Sequence, residues 1–229
     1  MESFPSLLFE RLPGAAQKKP EYPMDRICAA LAQIHAVQID SPFELSTAFP
    51  FDDTCMIWLP TFEDYWKNKK HIPEITAAFA TLAPIAQPLF AGEMRAQMFS
   101  RSVHVHCHGD VTPKNVFAGE SGAARFFDFN NAFYGSRMAD VIDGALEFSL
   151  AEKYIHLANF ARFDKFVEHY SIASPLTLEE REDLGKWRDL IGVIKFTKEV
   201  RVMLERPTEN LRRKRALAIA EFLASVPRG

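Results

Sequence analysis

The sequence predicts a mainly helical domain of the α+β class that contains one small β-hairpin. Apolar residues recur at intervals of three and four along much of the chain, which is typical of helices with one buried face. Two short strand-like stretches, 115–118 and 124–127, flank a Gly-Glu-Ser-Gly turn and predict the hairpin. The chain has 229 residues, of which 48% are hydrophobic, so one well-packed domain is expected.

The first half of the chain predicts a short strand followed by helices. An apolar strand over 5–12 ends at the turn Pro13-Gly14. Helical spacing then runs from about 22 to 37, where His35 falls on the apolar face and is expected to be a hydrogen-bonded core histidine. Thr61, three residues before Asp64, predicts a helix N-cap. A further helix over 73–100 is expected to break near its two interior prolines, Pro84 and Pro88.

The second half predicts the β-structure and then helices alone. A strand is expected over 103–107, a loop over 108–114, and then the hairpin. From Ser136 onward the pattern is helical, with three clear helices around 160–170, 184–194 and 208–224.

Composition and charge exclude several classes of protein. A net charge of −3 and a pI near 6.2 argue against nucleic-acid binding as the main role. The basic run 212–215 is interpreted as a solvated helix face, with RNA binding as a weaker alternative. Three cysteines without regular spacing predict no disulfide framework, and no zinc motif occurs. With no signal peptide or membrane-spanning stretch evident, we expect a cytoplasmic protein without a membrane partner.

The segment His-Gly-Asp-Val-Thr-Pro-Lys-Asn at 108–115, followed by Asp-Phe-Asn at 128–130, carries the chemistry. Phosphoryl transfer from ATP needs a carboxylate that orients a substrate hydroxyl and two oxygen ligands for magnesium (Mg2+). Asp110 is suited to the first role, and Asn115 and Asp128 to the second. A hairpin between Asn115 and Asp128 would bring these two residues together. Their spacing is therefore a more specific signal of this chemistry than the residue types alone.

This segment resembles the C-terminal lobe of the aminoglycoside phosphotransferase and choline kinase family, which has a protein-kinase-like fold. Similarity extends to Leu7–Gly14, which resembles the hinge strand and linker, and to Leu31–His35, which resembles the first helix of that lobe. The resemblance implies two parts of the chain: a hinge-like strand and linker over 1–14, and a helical C-lobe over 15–229, which together form a single domain.

The resemblance also implies roles for individual residues. Asp110 would be the catalytic aspartate, and Asn115 and Asp128 would hold Mg2+. ATP would meet the backbone of Glu10 and Leu12 and the ring of Phe127, and the loop would be supported by His108 and Asp140.

The sequence also departs from the family pattern. Few residues precede the hinge-like strand, so we expect the family's N-terminal lobe, with its glycine-rich turn and phosphate-binding lysine, to be missing. The metal-binding triplet reads Asp-Phe-Asn, and Thr112 stands where protein kinases keep a lysine. An exposed nucleotide cleft would invite a second chain, either a copy of this one or a different partner.

Two functions are therefore open. The first is an ATP-dependent small-molecule O-phosphotransferase that transfers the γ-phosphate to an alcohol group, although activity of this chain alone is in question. The alternative is a non-catalytic pseudokinase remnant that binds a ligand or another protein. Seven acidic residues are candidates to bind a cationic substrate, but ordinary surface charge is the simpler interpretation: Asp52, Asp53, Glu63, Asp64, Glu147, Asp189 and Glu199.

Overall fold

The computed structural model describes residues 23–38, 58–67, 71–90, 92–118, 122–150, 160–206 and 210–226. The predicted strand over 5–12, the turn after it and the residues Glu10 and Leu12 lie outside these ranges. Within them the chain is mostly helical with two small antiparallel strand pairs, so the predicted mainly α, kinase-like class of fold is confirmed.

Four helices come before the first strand and five follow the last one in the described ranges. The first four are α1 (Met24–His35), α2 (Trp58–Lys67), α3 (Pro73–Phe90) and α4 (Gly92–Ser100). The later five are α5 (Arg137–Ser149), α6 (Phe160–Ala173), α7 (Leu178–Glu182), α8 (Leu184–Glu205) and α9 (Asn210–Ser225). In this part of the chain no single helix is long and apolar enough to cross a membrane; α3 and α4 meet that test only as a pair bent by 68°.

The strands lie between the two sets of helices. β1 (His104–Cys107) pairs antiparallel with β4 (Phe133–Ser136), and β2 (Val116–Ala118) pairs antiparallel with β3 (Ala124–Phe126). The predicted hairpin therefore forms, and the strand predicted over 103–107 is present as β1, one residue shorter. β4 was not expected, because its partner β1 lies some thirty residues earlier and no turn links the two directly.

One hydrophobic core joins the helices. α9 packs on α8 and α3, α6 packs on α1 and α5, and α8 also contacts α3 and α5. Large aromatic side chains fill the spaces between these helices, among them Phe79, Phe148, Phe166, Trp187 and Phe222, all nearly inaccessible to solvent. The loop of interest, residues 108–115, leaves this core at the end of β1.

Two predicted details are wrong. Thr61 lies inside α2 and is buried, because the helix already includes Trp58. The break in the third helix falls after Phe90, and both prolines lie inside α3. Pro84 and Pro88 are exposed, so the carbonyl groups that lose their N–H partners can turn to water, and the helix continues past them.

Candidate functional site

Asp140 fixes the start of the loop. It lies in the first turn of α5, a helix capped by the side chain of Ser136, and a carboxylate is favoured at this end of a helix. Its two oxygens accept the backbone N–H groups of His108 at 2.6 Å and of Gly109 at 2.9 Å. The loop therefore leaves β1 in one defined direction.

A buried histidine holds Asp140 in turn. His35 Nε2 lies 3.1 Å from Asp140 Oδ2, and His35 Nδ1 lies 2.6 Å from the hydroxyl of Tyr170 on α6. His35 is thus a hydrogen-bonded core histidine, as predicted. The sulfur of Cys107 lies within 4.8 Å of a ring nitrogen of His35 and of a carboxylate oxygen of Asp140. Burial raises the pKa of the Cys107 thiol well above its usual value, so this sulfur stays neutral and is a poor metal ligand.

Gly109 adopts a backbone conformation that other residues rarely tolerate. Its φ is +80°, in the left-handed region. A Cβ added at this position would lie 1.9 Å from the carbonyl oxygen of Asn131, far inside contact distance. Glycine is therefore required both by the backbone angle and by the close approach of the segment that follows β3.

His108 links the two sides of the loop. Its Nδ1 accepts the backbone N–H of Asp110 at 3.2 Å, so the ring proton is on Nε2, which donates to the carbonyl of Phe127 at 2.9 Å. The ring packs against Phe126 and Phe129, with centroid distances of 5.2 and 4.5 Å. His108 is fully buried and is placed to position the loop.

Asp110 and Asn115 meet directly. The Asn115 side-chain nitrogen donates to the Asp110 carboxylate at 2.8 Å and to the Asp110 carbonyl at 3.0 Å. Because both bonds use the amide nitrogen, the amide oxygen of Asn115 is turned away from Asp110. Asn115 is buried, whereas Asp110 remains partly accessible.

The hairpin places Asp128 near this pair. The backbone N–H of Phe127 donates to the carbonyl of Asn115 at 3.1 Å, so Asp128 follows one residue after a direct contact with Asn115. Asp128 is exposed and has a φ of +65°, a left-handed angle that aspartate tolerates better than most residues. Phe127, predicted to contact the nucleotide base, is 36% exposed.

A buried ion network next to the loop was not predicted. Lys195 on α8 binds Asp143 and Glu147 of α5, each at 2.7 Å. Arg215 of α9 binds Glu147 at 2.7 Å and Glu199 at 2.6 Å. The partners are separated by 16 to 68 positions, so no sequence pattern could have indicated these pairs.

The pKa values of Asp143 and Glu147, the two carboxylates that share Lys195, are shifted in opposite directions. Glu147 has two cationic partners, Lys195 and Arg215; burial acts to raise its pKa, but the two cations together outweigh burial and hold it below its usual value. Asp143 has only a share of Lys195, so burial dominates and raises its pKa to about 6. One ammonium group cannot neutralise two buried carboxylates fully.

This network also corrects the interpretation of the basic run. Arg212 binds Glu199 at 3.1 Å, Arg213 binds Glu74 at 2.9 Å, and Arg215 is largely buried between Glu147 and Glu199. A solvated face is therefore the wrong description of Arg212 and Arg215, which join α9 to the rest of the fold. Only Lys214 of the four is exposed.

Comparison with models of known protein families identifies the family of this chain. Residues 2–155 match the model of the phosphotransferase enzyme family, which covers well over half of the chain. The chain belongs to the phosphotransferase enzyme family. The matched residues of this phosphotransferase family member include the loop and the hairpin. They therefore also include Asp110, Asn115, Asp128 and Asp140. No curated protein sequence matches the chain significantly.

Solved structures share the fold of this family member. A choline/ethanolamine kinase family protein from Mesorhizobium loti is 14% identical, with a TM-score of 0.61 over 89% of this chain and 63% of its own. An aminoglycoside phosphotransferase from Alicyclobacillus acidocaldarius is 14% identical, with a TM-score of 0.63 over 88% of this chain and 64% of its own. A choline kinase from Streptococcus pneumoniae is 20% identical, with a TM-score of 0.53 over 89% of this chain and 64% of its own. The chain thus spans less than two thirds of the length of each.

Proposed function

We propose that this protein takes part in the ATP-dependent transfer of a phosphoryl group to the hydroxyl of a small molecule. The observation that carries the proposal is the hydrogen bond between Asp110 and Asn115, with Asp128 held one residue from the backbone contact of Asn115. Membership of the phosphotransferase enzyme family and the kinase-like fold support it.

Asp110 is suited to orient the acceptor. One of its carboxylate oxygens already accepts from Asn115, which fixes the rotation of the group and leaves the other oxygen to accept a substrate hydroxyl. The backbone N–H of Asp110 is held by His108, so the residue cannot swing out of place. Orientation and electrostatic stabilisation supply most of the catalysis in this chemistry.

The residues around Asp110 fit a magnesium ion. The amide oxygen of Asn115 faces away from Asp110, and Asp128 adds an exposed carboxylate from the neighbouring segment. Both are hard oxygen ligands, which magnesium prefers, and neither is consumed by an ion pair in the described part of the chain. When bound, the ion would neutralise charge on the phosphates of the nucleotide.

ATP is the proposed phosphate donor. Among the structural neighbours, a choline kinase is solved in complex with AMP and a spectinomycin phosphotransferase in complex with ADP and spectinomycin. By the same resemblance, the backbone of Glu10 and Leu12 and the ring of Phe127 would contact the base. Phe127 has the exposure that this role needs, and the other two residues lie outside the described ranges.

The test is a calorimetric titration of ATP into the protein, with and without magnesium, in parallel with Asp128→Ala. We expect binding that depends on magnesium and that weakens at least tenfold in the variant, because a charged ligand to the ion is lost. Glu168→Ala, which removes an exposed carboxylate from α6, is the matched control and should bind as the wild type does.

Two results would contradict the proposal. ATP binding that is absent, or that is unaffected by magnesium and by Asp128→Ala, would remove the basis for catalysis by this chain. The alternative, a non-catalytic module that binds a ligand or another protein, would then be favoured. If ATP binds as expected, release of ADP in the presence of small alcohols measures the transfer itself.

A further inference from the structure

A cavity between α2 and α8 involves none of the residues that are suited to phosphoryl transfer. Its volume is about 240 Å³, and its walls are formed by Thr61 and Asp64 of α2 and by Arg201, Leu204 and Glu205 of α8. The lining positions of each helix are three or four residues apart, so each helix turns one face to the cavity. Pockets for drug-sized ligands have volumes of roughly 300–1,000 Å³, so this cavity suits a smaller molecule, of about the size of an amino acid.

Thr61 is the buried polar residue of this cavity. Only 4% of it is exposed, and its hydroxyl makes no hydrogen bond to any residue of the described ranges. Withdrawing a hydroxyl from water without a partner is unfavourable, and a ligand that bonds to it removes that cost. Thr61 therefore offers a hydrogen-bonding group to a molecule in the cavity.

Asp64 adds a carboxylate to the same face of α2, three positions after Thr61. Three of the acidic residues that could attract a cation are already bound to basic side chains: Glu147, Asp189 and Glu199. Asp64 forms no ion pair with the described part of the chain, and it is exposed. This side of the cavity therefore favours a positively charged group, such as an ammonium.

The opposite side of the cavity carries a guanidinium group. Arg201 Nε lies 3.5 Å from Glu205 Oε1, and the two side chains are 54% and 61% exposed. An exposed pair of this kind contributes little to stability, so Arg201 can exchange Glu205 for the carboxylate of a ligand, which its planar group binds well. Leu204 lies between them on the helix and packs against the hydrophobic core, which gives the cavity an apolar wall.

We propose that this cavity binds a small zwitterion, a molecule with an ammonium group at one end, a carboxylate at the other and a short aliphatic chain between them. The ammonium group would donate to the carboxylate of Asp64 and to the hydroxyl oxygen of Thr61, while the carboxylate would accept from Arg201. The aliphatic chain would lie against Leu204. A molecule with only one charge would match only one of the two helices.

Calorimetric titration of the full chain with six small molecules tests this proposal. Four are linear amino acids of increasing length, namely glycine, β-alanine, 4-aminobutyrate and 5-aminovalerate, and two carry a single charge, namely butylamine and butyrate. We expect one of the amino acids to bind at least about tenfold more tightly than butylamine and butyrate, because it makes charge-assisted hydrogen bonds on both sides. Its length then reports the separation of the two charged walls. Neither ATP nor magnesium is present, so the result is independent of the proposed phosphoryl transfer.

Three variants connect this binding to the cavity. Asp64→Asn and Arg201→Gln should each lower the affinity for the tightest amino acid about tenfold, because each removes a charged partner. Thr61→Val should lower it roughly threefold. The same Thr61→Val variant should be at least as stable as the wild type in urea unfolding, because the hydroxyl has no partner to lose in the described part of the chain.

Glu63→Gln is the matched control, since Glu63 is the neighbouring exposed acid of α2 and lies 3.9 Å from Lys67. It should leave the affinities unchanged. Amino-acid binding that is absent would overturn the proposal, as would butylamine or butyrate binding equally tightly. An affinity that is unchanged in Asp64→Asn or in Arg201→Gln would also overturn it.

Discussion

Gly109 is the residue at which one added carbon atom should disturb the loop most. We predict that Gly109→Ala lowers the free energy of unfolding by at least about 2 kcal/mol, because its φ of +80° and its contact with the carbonyl of Asn131 both oppose a side chain. Urea unfolding followed by circular dichroism measures the change.

Gly185→Ala provides the matched control for this substitution. Gly185 lies at the second position of α8, and a Cβ there would meet only Arg188, at an ordinary 3.8 Å. Alanine favours a helix over glycine by up to about 1 kcal/mol, so this variant should be as stable as the wild type or more so. Equal effects of the two substitutions would contradict the assigned geometry of Gly109.

Asp140 is the second residue on which the site depends. Asp140→Asn keeps the shape of the side chain but removes its negative charge. The carboxylate accepts two backbone N–H groups and contacts His35, so we expect a loss of about 3 kcal/mol in the free energy of unfolding. Denaturant unfolding measures it. Asp164→Asn, an exposed change on α6, should alter the stability by no more than about 0.5 kcal/mol. An Asp140→Asn variant as stable as this control would show that Asp140 does not support the loop.

At the scale of elements, α5 and α8 are joined by a charge arrangement that should respond to pH. The pKa of Asp143 is raised by burial to about 6, against a usual value of 3.8. A folded state that binds the proton more tightly than the unfolded chain is stabilised by protonation. Asp143 therefore contributes stability that is complete below about pH 4 and is lost as the pH rises through about 6.

We predict that Asp143→Asn, which cannot lose a proton, removes this dependence. Relative to the wild type, the variant should be less destabilised at pH 7 than at pH 4.5, by about 2 kcal/mol. Urea unfolding at the two pH values gives the comparison, with Asp164→Asn expected to show no such difference. A variant that becomes relatively worse as the pH rises would mean that the attraction of Lys195 outweighs burial at Asp143.

The sequence predicts elements well where the information is local. The spacing of Phe163, Val167 and Tyr170 indicates α6, and the turn before Ala124 indicates the hairpin, because each pattern lies within one element. Asp110, Asn115 and Asp128 could be predicted as a group because a single hairpin joins the segments that carry them. β4 and the interior prolines of α3 could not be predicted, because a distant partner strand and solvent exposure decide them.

Side-chain partners across elements lie beyond the reach of sequence patterns. Glu147 and Glu199 were candidates for a cationic ligand, and the structure pairs them with Lys195 and Arg215 from other helices. Each partner comes into range only after the helices pack.

At the scale of the whole molecule, the last helix supports a site more than 60 residues away in sequence. Arg215 of α9 neutralises Glu147 on α5, and α5 in turn holds the loop through Asp140. The apolar face of α9 closes over α8 and α3, with Ile219 fully buried. The fold and the loop should therefore be lost together, in one cooperative transition.

We predict that Ile219→Ala lowers the free energy of unfolding by about 2–5 kcal/mol, because it opens a cavity between α9 and its neighbours. For a chain of this size the Tm should fall by roughly 5–15 °C. Leu211→Ala, on the same helix but 39% exposed, should cost less than about 1 kcal/mol. Within each protein, whether wild type or variant, far-ultraviolet circular dichroism and tryptophan fluorescence should give the same midpoint. If α9 instead unfolded at a lower temperature than the rest, the two midpoints would separate in Ile219→Ala, and α9 would then be an appendage that the loop does not need.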